Sequence, residues 1–154
     1  MIQEYDNDSL DPLEQMIRDL WKAQGPLRDV FGPYFDWNTE KQGLPFCVCI
    51  GSGGDGPNLY DMNILGVINQ VSKRFDIWHS DRGQLLTQIL PLVSATYERR
   101  TNVTLKGNQV CLSVVMETAW HTVFEQAKDN ALNLNSWHSF AAFRFRVEKR
   151  AGVV

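Results

Sequence analysis

The chain has 154 residues, of which 44% are hydrophobic and 11% aromatic, so it is predicted to form one domain with a substantial core rather than a disordered protein. Its formal net charge of −3 gives no general electrostatic reason to bind nucleic acid or a membrane surface. No apolar stretch reaches the roughly 18–20 residues that span a bilayer, and three cysteines cannot all pair within the chain. With three cysteines a disulfide scaffold is not expected, so a reducing compartment is predicted. The first residues are acidic and polar, unlike the start of a signal peptide.

The N-terminal region is predicted to contain a mobile arm followed by a helix. Residues 1–10 form the arm, and residues 11–154 a single domain. The helix begins at Asp11-Pro12-Leu13-Glu14, with Asp as N-cap and Pro at the first helical position. Gly25-Pro26 is predicted to end it, with one more short turn at 27–31. Its apolar residues recur at the spacing of one helical face: Leu13, Met16, Ile17, Leu20 and Trp21.

Extended segments follow at 34–37, 44–50 and about 64–78. The continuous apolar run at 44–50 is typical of a central strand with both faces covered. The loop 51–58 contains four glycines, and we expect it to order against a neighbouring subunit. In the third segment, alternate residues are predicted to share a face. One set is Val71, Lys73, Phe75 and Ile77, and the other is Ser72, Arg74, Asp76 and Trp78.

The second half of the chain is predicted to hold one helix and several strands. The helix starts near Ser80 or Asp81 and runs toward Arg99, with a kink or break at Pro91. Residues 101–117 are predicted as strand, interrupted by a tight turn at 106–108, and further strands at 119–125 and 136–148. Because short turns join antiparallel neighbours, the predicted fold is α+β: a single, mainly antiparallel sheet packed by an N-terminal helix and a middle helix.

All three histidines follow a tryptophan, in Trp78-His79, Trp120-His121 and Trp137-His138. On a strand, a Trp that faces the core turns its His toward solvent or a partner. Three histidines on one sheet face would make a metal site, but no ligand spacing typical of metals accompanies them. Strand ends anchored by an aromatic residue are the ordinary interpretation.

No other motif indicates catalysis. Cys47 and Cys49 would place two small core side chains on one strand face, and Cys111 lies in an apolar strand where it would be buried. The loop 51–58 lacks both the dinucleotide fingerprint and a following Gly-Lys-Ser/Thr, and no nucleophile elbow or His-Glu-x-x-His is present. We therefore predict a protein that is not an enzyme and has no catalytic, cofactor or metal site.

Four segments, in this order, form a larger pattern. They are the amphipathic N-terminal helix, the strand Leu44-Pro45-Phe46-Cys47-Val48-Cys49, the strand Phe75-Asp76-Ile77-Trp78 leading into the helix from Asp81, and the closing strand from Trp137-His138-Ser139-Phe140 to Arg144-Phe145-Arg146-Val147. With these segments, the chain resembles the tail-terminator or tail-completion proteins of long-tailed bacteriophages. The sequence departs from the pattern of these proteins in two places: the region 110–135 is longer, and a proline at 91 interrupts the middle helix. These departures bear on where in the virion the protein would lie more than on its fold.

The resemblance implies an assembly role. Such proteins form a ring, commonly a hexamer, that ends the tail tube on its head-proximal side and joins tail to head. The implied partners are further copies of the chain, the tail-tube protein and head–tail connector proteins, with passive passage of DNA through the ring. The implied location is the virion neck, and the host cytoplasm during assembly. A head-completion or stopper ring is the alternative within this class, and a small metal-binding protein or enzyme using the Trp-His pairs is the alternative from another class.

Candidate contact residues come from the arm, the loop and the closing strand. The arm and loop candidates for subunit or partner contacts are Tyr5, Asp8, Gly53, Gly54, Asp55, Asn58 and Tyr60. In the closing strand, basic residues alternate with apolar ones, so a basic face is predicted that could line the lumen of a ring. The candidates for that face are Arg144, Arg146 and Lys149.

Overall fold

The computed structural model of the chain describes residues 12–31, 44–51, 68–127 and 135–150. Within these ranges the predicted fold class is confirmed, because five strands form one antiparallel sheet accompanied by helices. The predicted arm 1–10, the aromatic segment 34–37 and residues 52–58 of the glycine-rich loop lie outside the described residues.

The elements follow one another along the chain with short connections in the second half. The helices are α1 (Pro12–Ala23), α2 (Gly25–Phe31), α3 (Arg82–Gln84) and α4 (Leu90–Tyr97), and a π-helical segment, Leu85–Ile89, joins the last two. The strands are β1 (Phe46–Gly51), β2 (Ile68–His79), β3 (Thr101–Leu105), β4 (Gln109–Glu125) and β5 (Ser136–Lys149). Their order across the sheet is β1-β2-β5-β4-β3, with every neighbouring pair antiparallel.

The predicted apolar stripe of α1 is confirmed. Leu13, Ile17 and Trp21 are fully buried, and Met16 nearly so, whereas Leu20 is half-buried against the core. Burial of one helical face is what fixes a helix of this length onto a sheet, since an isolated twelve-residue helix is marginal in water. The helix continues after a bend at Gln24 into α2, which matches the further turn predicted there.

The middle helix begins where predicted but changes type along its length. Asp81 is the N-cap, and its carboxylate accepts a hydrogen bond from the amide of Gln84. The predicted break at Pro91 takes the form of a π-helical segment that ends at Ile89, just before α4. Proline has no amide to bond to the carbonyl four residues earlier, here Thr87, and a change of helix type next to it accommodates the missing bond.

Two strand predictions are corrected by the sheet. The run at 44–50 gives β1, which lies at the end of the strand order instead of its centre, although Cys47, Val48 and Cys49 are all buried. The segment predicted as a separate strand at 119–125 is the continuation of β4. β-Bulges near Glu117 and Ala119 lie where the sequence indicated a break, and they let one strand bend without ending. The predicted turn at 106–108 is confirmed, with Gly107 and Asn108 at positive φ.

The core is an aromatic cluster between the helices and one face of the sheet. Phe75 lies at its centre, with ring centroids at 6.2 Å from Trp21, 5.0 Å from Tyr97 and 5.7 Å from Phe143. The Tyr97 hydroxyl donates a hydrogen bond of 2.7 Å to the carbonyl of Ile17 and so ties α4 to α1. This face of the sheet is called the helix face below.

Candidate functional site

The other face of the sheet carries a connected set of polar and aromatic side chains, and it is called the polar face below. It is defined by Ser72, Arg74, Asp76 and Trp78 on β2 and by the residues directly opposite them on β5. Residues opposite each other in antiparallel strands point to the same side of the sheet. Trp78 therefore lies beside His138, and Asp76 beside Phe140.

A histidine held between two carboxylates is the centre of this face. His138 Nε2 lies 2.7 Å from Asp76 Oδ1, and His138 Nδ1 lies 2.6 Å from Glu125 Oε1. Asp76 belongs to β2, His138 to β5 and Glu125 to the end of β4. The three residues, called the carboxylate–histidine bridge below, thus connect three neighbouring strands through side chains.

Further contacts hold each part of the bridge in place. The guanidinium of Arg74 donates two hydrogen bonds to Asp76, of 2.9 and 2.8 Å. The indole of Trp78 stacks on the His138 ring at 4.3 Å and donates its N–H to Glu125 at 3.1 Å. Arg74 also lies 4.4 Å above the ring of Phe140. Asp76 consequently has two cationic partners, whereas Glu125 has His138 and one neutral indole.

The electrostatics of the bridge favour its charged form. Burial alone would lower the pKa of His138, but the hydrogen bonds and negative charges of Asp76 and Glu125 outweigh burial and raise that pKa. For Asp76, burial would raise the pKa, but hydrogen bonds and charges from His138 and Arg74 outweigh it, and the pKa is lowered. The two pKa shifts have opposite directions because each charged group favours the charged form of the other.

This arrangement crosslinks strands and leaves little scope for chemistry. Both ring nitrogens of His138 face carboxylate oxygens at hydrogen-bonding distance, so neither nitrogen is turned toward a substrate or a metal. Among the described residues, no three His, Cys, Asp or Glu side chains form a group that could hold a metal ion. The geometry of the bridge supports a mechanical role in fixing β4 to the sheet.

Of the three residues predicted to form a basic face on β5, two lie on the polar face and the third does not. Arg144 and Arg146 point to the polar face, opposite to the buried Phe143, Phe145 and Val147, as the alternation predicted. Lys149 lies on the other side of β5, because it is an odd number of residues from both arginines and is opposite Gln109 on β4.

The charge of Arg144 is matched by a neighbouring carboxylate. Its guanidinium donates a hydrogen bond of 2.8 Å to Glu117, which also accepts one from the hydroxyl of Ser72. These two hydrogen bonds lower the pKa of Glu117. The polar face therefore alternates positive and negative charge, and does not present the continuous positive surface expected of a tight DNA-binding site.

The second half of β4 presents apolar side chains to solvent. Val115, Val123 and Phe124 are 47%, 46% and 50% exposed. Val123 lies opposite His138 and Phe124 opposite Trp137, so the two neighbours point to opposite faces of the sheet. These three residues are called the β4 surface below. Val115 and Val123 lie on the polar face and Phe124 on the helix face, so these exposed apolar groups share one strand but not one face of the sheet.

The three Trp-His pairs do not behave alike. His121 is exposed and His138 points to the polar face, while Trp120 and Trp137 pack against the core, as predicted. The prediction is wrong for His79, which is 5% exposed on the helix face and accepts a hydrogen bond from the amide of Asp81. Burial lowers the pKa of His79, against a smaller raising effect of the Asp81 charge.

The cysteines lie where the sequence predicted. Cys47, Cys49 and Cys111 are all buried and free. Burial raises the pKa of the Cys47 thiol well above its usual range and that of Cys111 to about 11. Thiols with raised pKa values are poor nucleophiles at neutral pH, which agrees with a packing role.

Sequence reasoning singled out His138 but missed its partners Asp76 and Glu125. A signal was present in the two Trp-His dipeptides of β2 and β5. When identical dipeptides meet in antiparallel strands, each Trp lies opposite the His of the other strand, as Trp78 and His138 do. The candidates Tyr5, Asp8, Gly53, Gly54, Asp55, Asn58 and Tyr60 lie outside the described residues, so their predicted contacts remain predictions.

Comparison of the chain with known proteins finds no matching family model and no matching curated protein. In the part of the chain that the structure describes, no helix is both long and apolar enough to cross a membrane.

Proposed function

We propose that the protein is a virion assembly protein, a tail terminator whose copies form a hexameric ring at the head-proximal end of a phage tail tube and join tail to head. The observation that carries the proposal is the β4 surface. Val115, Val123 and Phe124 stand half-exposed on one long strand, and a protein that acts through contacts needs apolar side chains available for burial.

The fold supports the same proposal. The proteins that the sequence resembles are small α+β proteins of about this length, and this chain has an α+β fold with one antiparallel sheet. A ring subunit must also keep its shape while neighbours dock. The carboxylate–histidine bridge gives the sheet rigidity at the end of β4, next to Val123 and Phe124.

The polar face suits passive contact with passing DNA. A ring that lets DNA through must not bind phosphates tightly, because every phosphate neutralised by a cation adds to the affinity. Arg144 has its charge matched by Glu117, whereas Arg146 is exposed. A face of mixed charge is therefore compatible with a lumen that attracts DNA weakly.

A head-completion or stopper ring is the alternative, because the β4 surface supports either kind of neck ring equally. The two differ in which neighbour the ring contacts. Electron microscopy of particles that carry a labelled copy of this chain separates them, since a terminator lies on the last ring of the tail tube and a stopper lies on the head side.

The β4 surface can be tested with matched substitutions. Phe124→Glu places a charge on the surface, and Gln88→Glu adds the same side chain at an exposed position of the π-helical segment. We expect the unmodified chain and Gln88→Glu to form rings in the presence of tail-tube protein, and Phe124→Glu to stay monomeric while keeping its circular dichroism spectrum. A strict monomer at high concentration with tail-tube protein present refutes the proposal, and rings formed equally well by Phe124→Glu refute the role of the surface.

A further inference from the structure

The last part of β4 is attached to the sheet on one side. β3 pairs with β4 only from Gln109 to Ser113, and in the described residues no strand pairs with the outer edge of β4 beyond that point. Residues from Val115 to Glu125 pair with β5 alone, with two bulges along the way. A strand end that is paired on one side opens more readily than the centre of a sheet, although Thr122 bonds to the hydroxyl of Ser139 and Phe124 packs on Trp137 here.

Side-chain contacts of Glu125 reinforce this attachment. Glu125 is the final residue of β4, and it bonds to His138 on β5 and to Trp78 on β2. These two bonds span three strands at the point where the backbone ladder ends. This part of the attachment therefore depends on how many protons the His138 ring carries, whereas the hydrogen bonds of Thr122 to Ser139 and of Trp120 to Ser94 do not.

We propose that His138 acts as a pH-sensitive latch, which holds the end of β4 on the sheet while its imidazole is protonated and releases it when the imidazole becomes neutral. A protonated imidazole donates from both nitrogens and satisfies Asp76 and Glu125 together. A neutral imidazole has one N–H, so one of the carboxylates then faces a nitrogen lone pair at a distance of 2.6 or 2.7 Å.

The surrounding charges decide which carboxylate leaves. Arg74 donates two hydrogen bonds to Asp76 and keeps that carboxylate in place. Within the described part of the chain, the partner that Glu125 keeps besides His138 is the neutral indole of Trp78. Among the described residues, the other neighbours of the His138 ring are the stacked Trp78, Phe140 and the opposite residue Val123, and none of these three carries a charge. Loss of the proton therefore releases the Glu125 side chain and weakens the attachment of the strand end next to Val123 and Phe124, which backbone pairing with β5 still holds.

The sign of the pH dependence follows from the direction of the shift. His138 has a raised pKa in the folded chain, so its stabilisation is complete below the ordinary histidine value of about 6.5 and is lost as pH rises through the folded pKa. The latch is thus closed at mildly acidic pH and opens on the alkaline side. Each unit by which the pKa is raised corresponds to a tenfold change in the equilibrium between closed and open β4.

Two measurements on the full chain at dilute, monomeric concentration test the latch. In an NMR titration, the imidazole of His138 should titrate above about 6.5, and Glu125→Gln should lower that value. In hydrogen exchange followed by mass spectrometry, peptides from 119–127 should lose protection relative to 109–114 as pH passes the measured pKa. The expected loss is tenfold for each unit by which this pKa exceeds the ordinary value.

Matched variants separate the latch from general effects. His121 is exposed on the same face and stacks on the same Phe140 ring, so His121→Gln should leave the exchange profile unchanged. His138→Gln should remove the pH dependence of 119–127. If His138→Gln does not fold, the pKa of His138 measured in the unmodified chain still tests the proposal. A His138 pKa at or below about 6.5, or the same pH dependence in 119–127 and 109–114, overturns the proposal. Ring formation is not used in these measurements, so a failed latch is distinct from a failed assembly role.

Discussion

Replacement of Asp76 by asparagine tests the electrostatic account of the polar face most directly. Asp76 is 5% exposed and accepts three short hydrogen bonds, two from Arg74 and one from His138. An asparagine side chain at this position would keep nearly the same shape but offer one acceptor oxygen, and its NH2 group would point toward a donor. The substitution therefore removes a charge and leaves two cationic groups without an anion between them.

The expected loss of stability can be bounded from these contacts. A hydrogen bond to a charged group contributes roughly 1.5–3 kcal/mol, and breaking a buried ion pair by removing one partner costs roughly 3–5 kcal/mol. The side chain of Arg74 is 39% exposed, so water compensates part of the loss on that side, whereas His138 is 12% exposed. We expect Asp76→Asn to lower the free energy of unfolding by roughly 2–4 kcal/mol near pH 6.

Urea denaturation from pH 3 to pH 7 measures this effect. Because the pKa of Asp76 is lowered in the folded chain, its stabilisation is present above the ordinary value of about 3.9 and is lost as pH falls through the folded pKa. The difference in the free energy of unfolding between the unmodified chain and Asp76→Asn should thus be large at pH 5–7 and shrink toward pH 3. Asp29→Asn is the control, since Asp29 forms an exposed ion pair with Arg28 and should change stability by less than about 0.5 kcal/mol. A loss below about 1 kcal/mol at pH 6, or a difference that grows as pH falls, refutes the reasoning.

Two further predictions concern the core. Tyr97→Phe removes the hydroxyl that donates to the carbonyl of Ile17 and should lower the free energy of unfolding by about 1–2 kcal/mol; an unchanged urea midpoint would show that water replaces the bond. The thiols of Cys47, Cys49 and Cys111 are buried, with pKa values raised for Cys47 and, to about 11, for Cys111, so a thiol reagent at pH 8 should label all three in urea and almost none in the native chain. Rapid labelling of the native chain would contradict their burial.

Local sequence patterns predicted the elements that depend on near neighbours. The spacing of Leu13, Ile17 and Trp21 predicted the buried face of α1, and Asp81 predicted the start of the middle helix. The turn at 106–108 followed from its glycine and asparagine, which tolerate positive φ. In each case the interactions that decide the structure lie within one or two turns of the chain.

The candidate site depended on contacts between distant parts of the chain. Asp76 and His138 are 62 residues apart, and their hydrogen bond exists only because of the register between β2 and β5. A shift of that register by one residue would turn one of the two to the other face. The position of β1 at the end of the strand order likewise depended on strand pairing, which apolar composition alone does not encode.

The sequence by itself determined the fold class, the helix face of the sheet and the alternation that sends Arg144 and Arg146 away from the core. Burial of apolar surface decides these features, and burial follows from local periodicity. Only the tertiary structure decided that His138 lies between Asp76 and Glu125, because register across three strands brings those side chains within hydrogen-bonding distance. The same register matches the charge of Arg144 with Glu117 and leaves Val123 and Phe124 exposed.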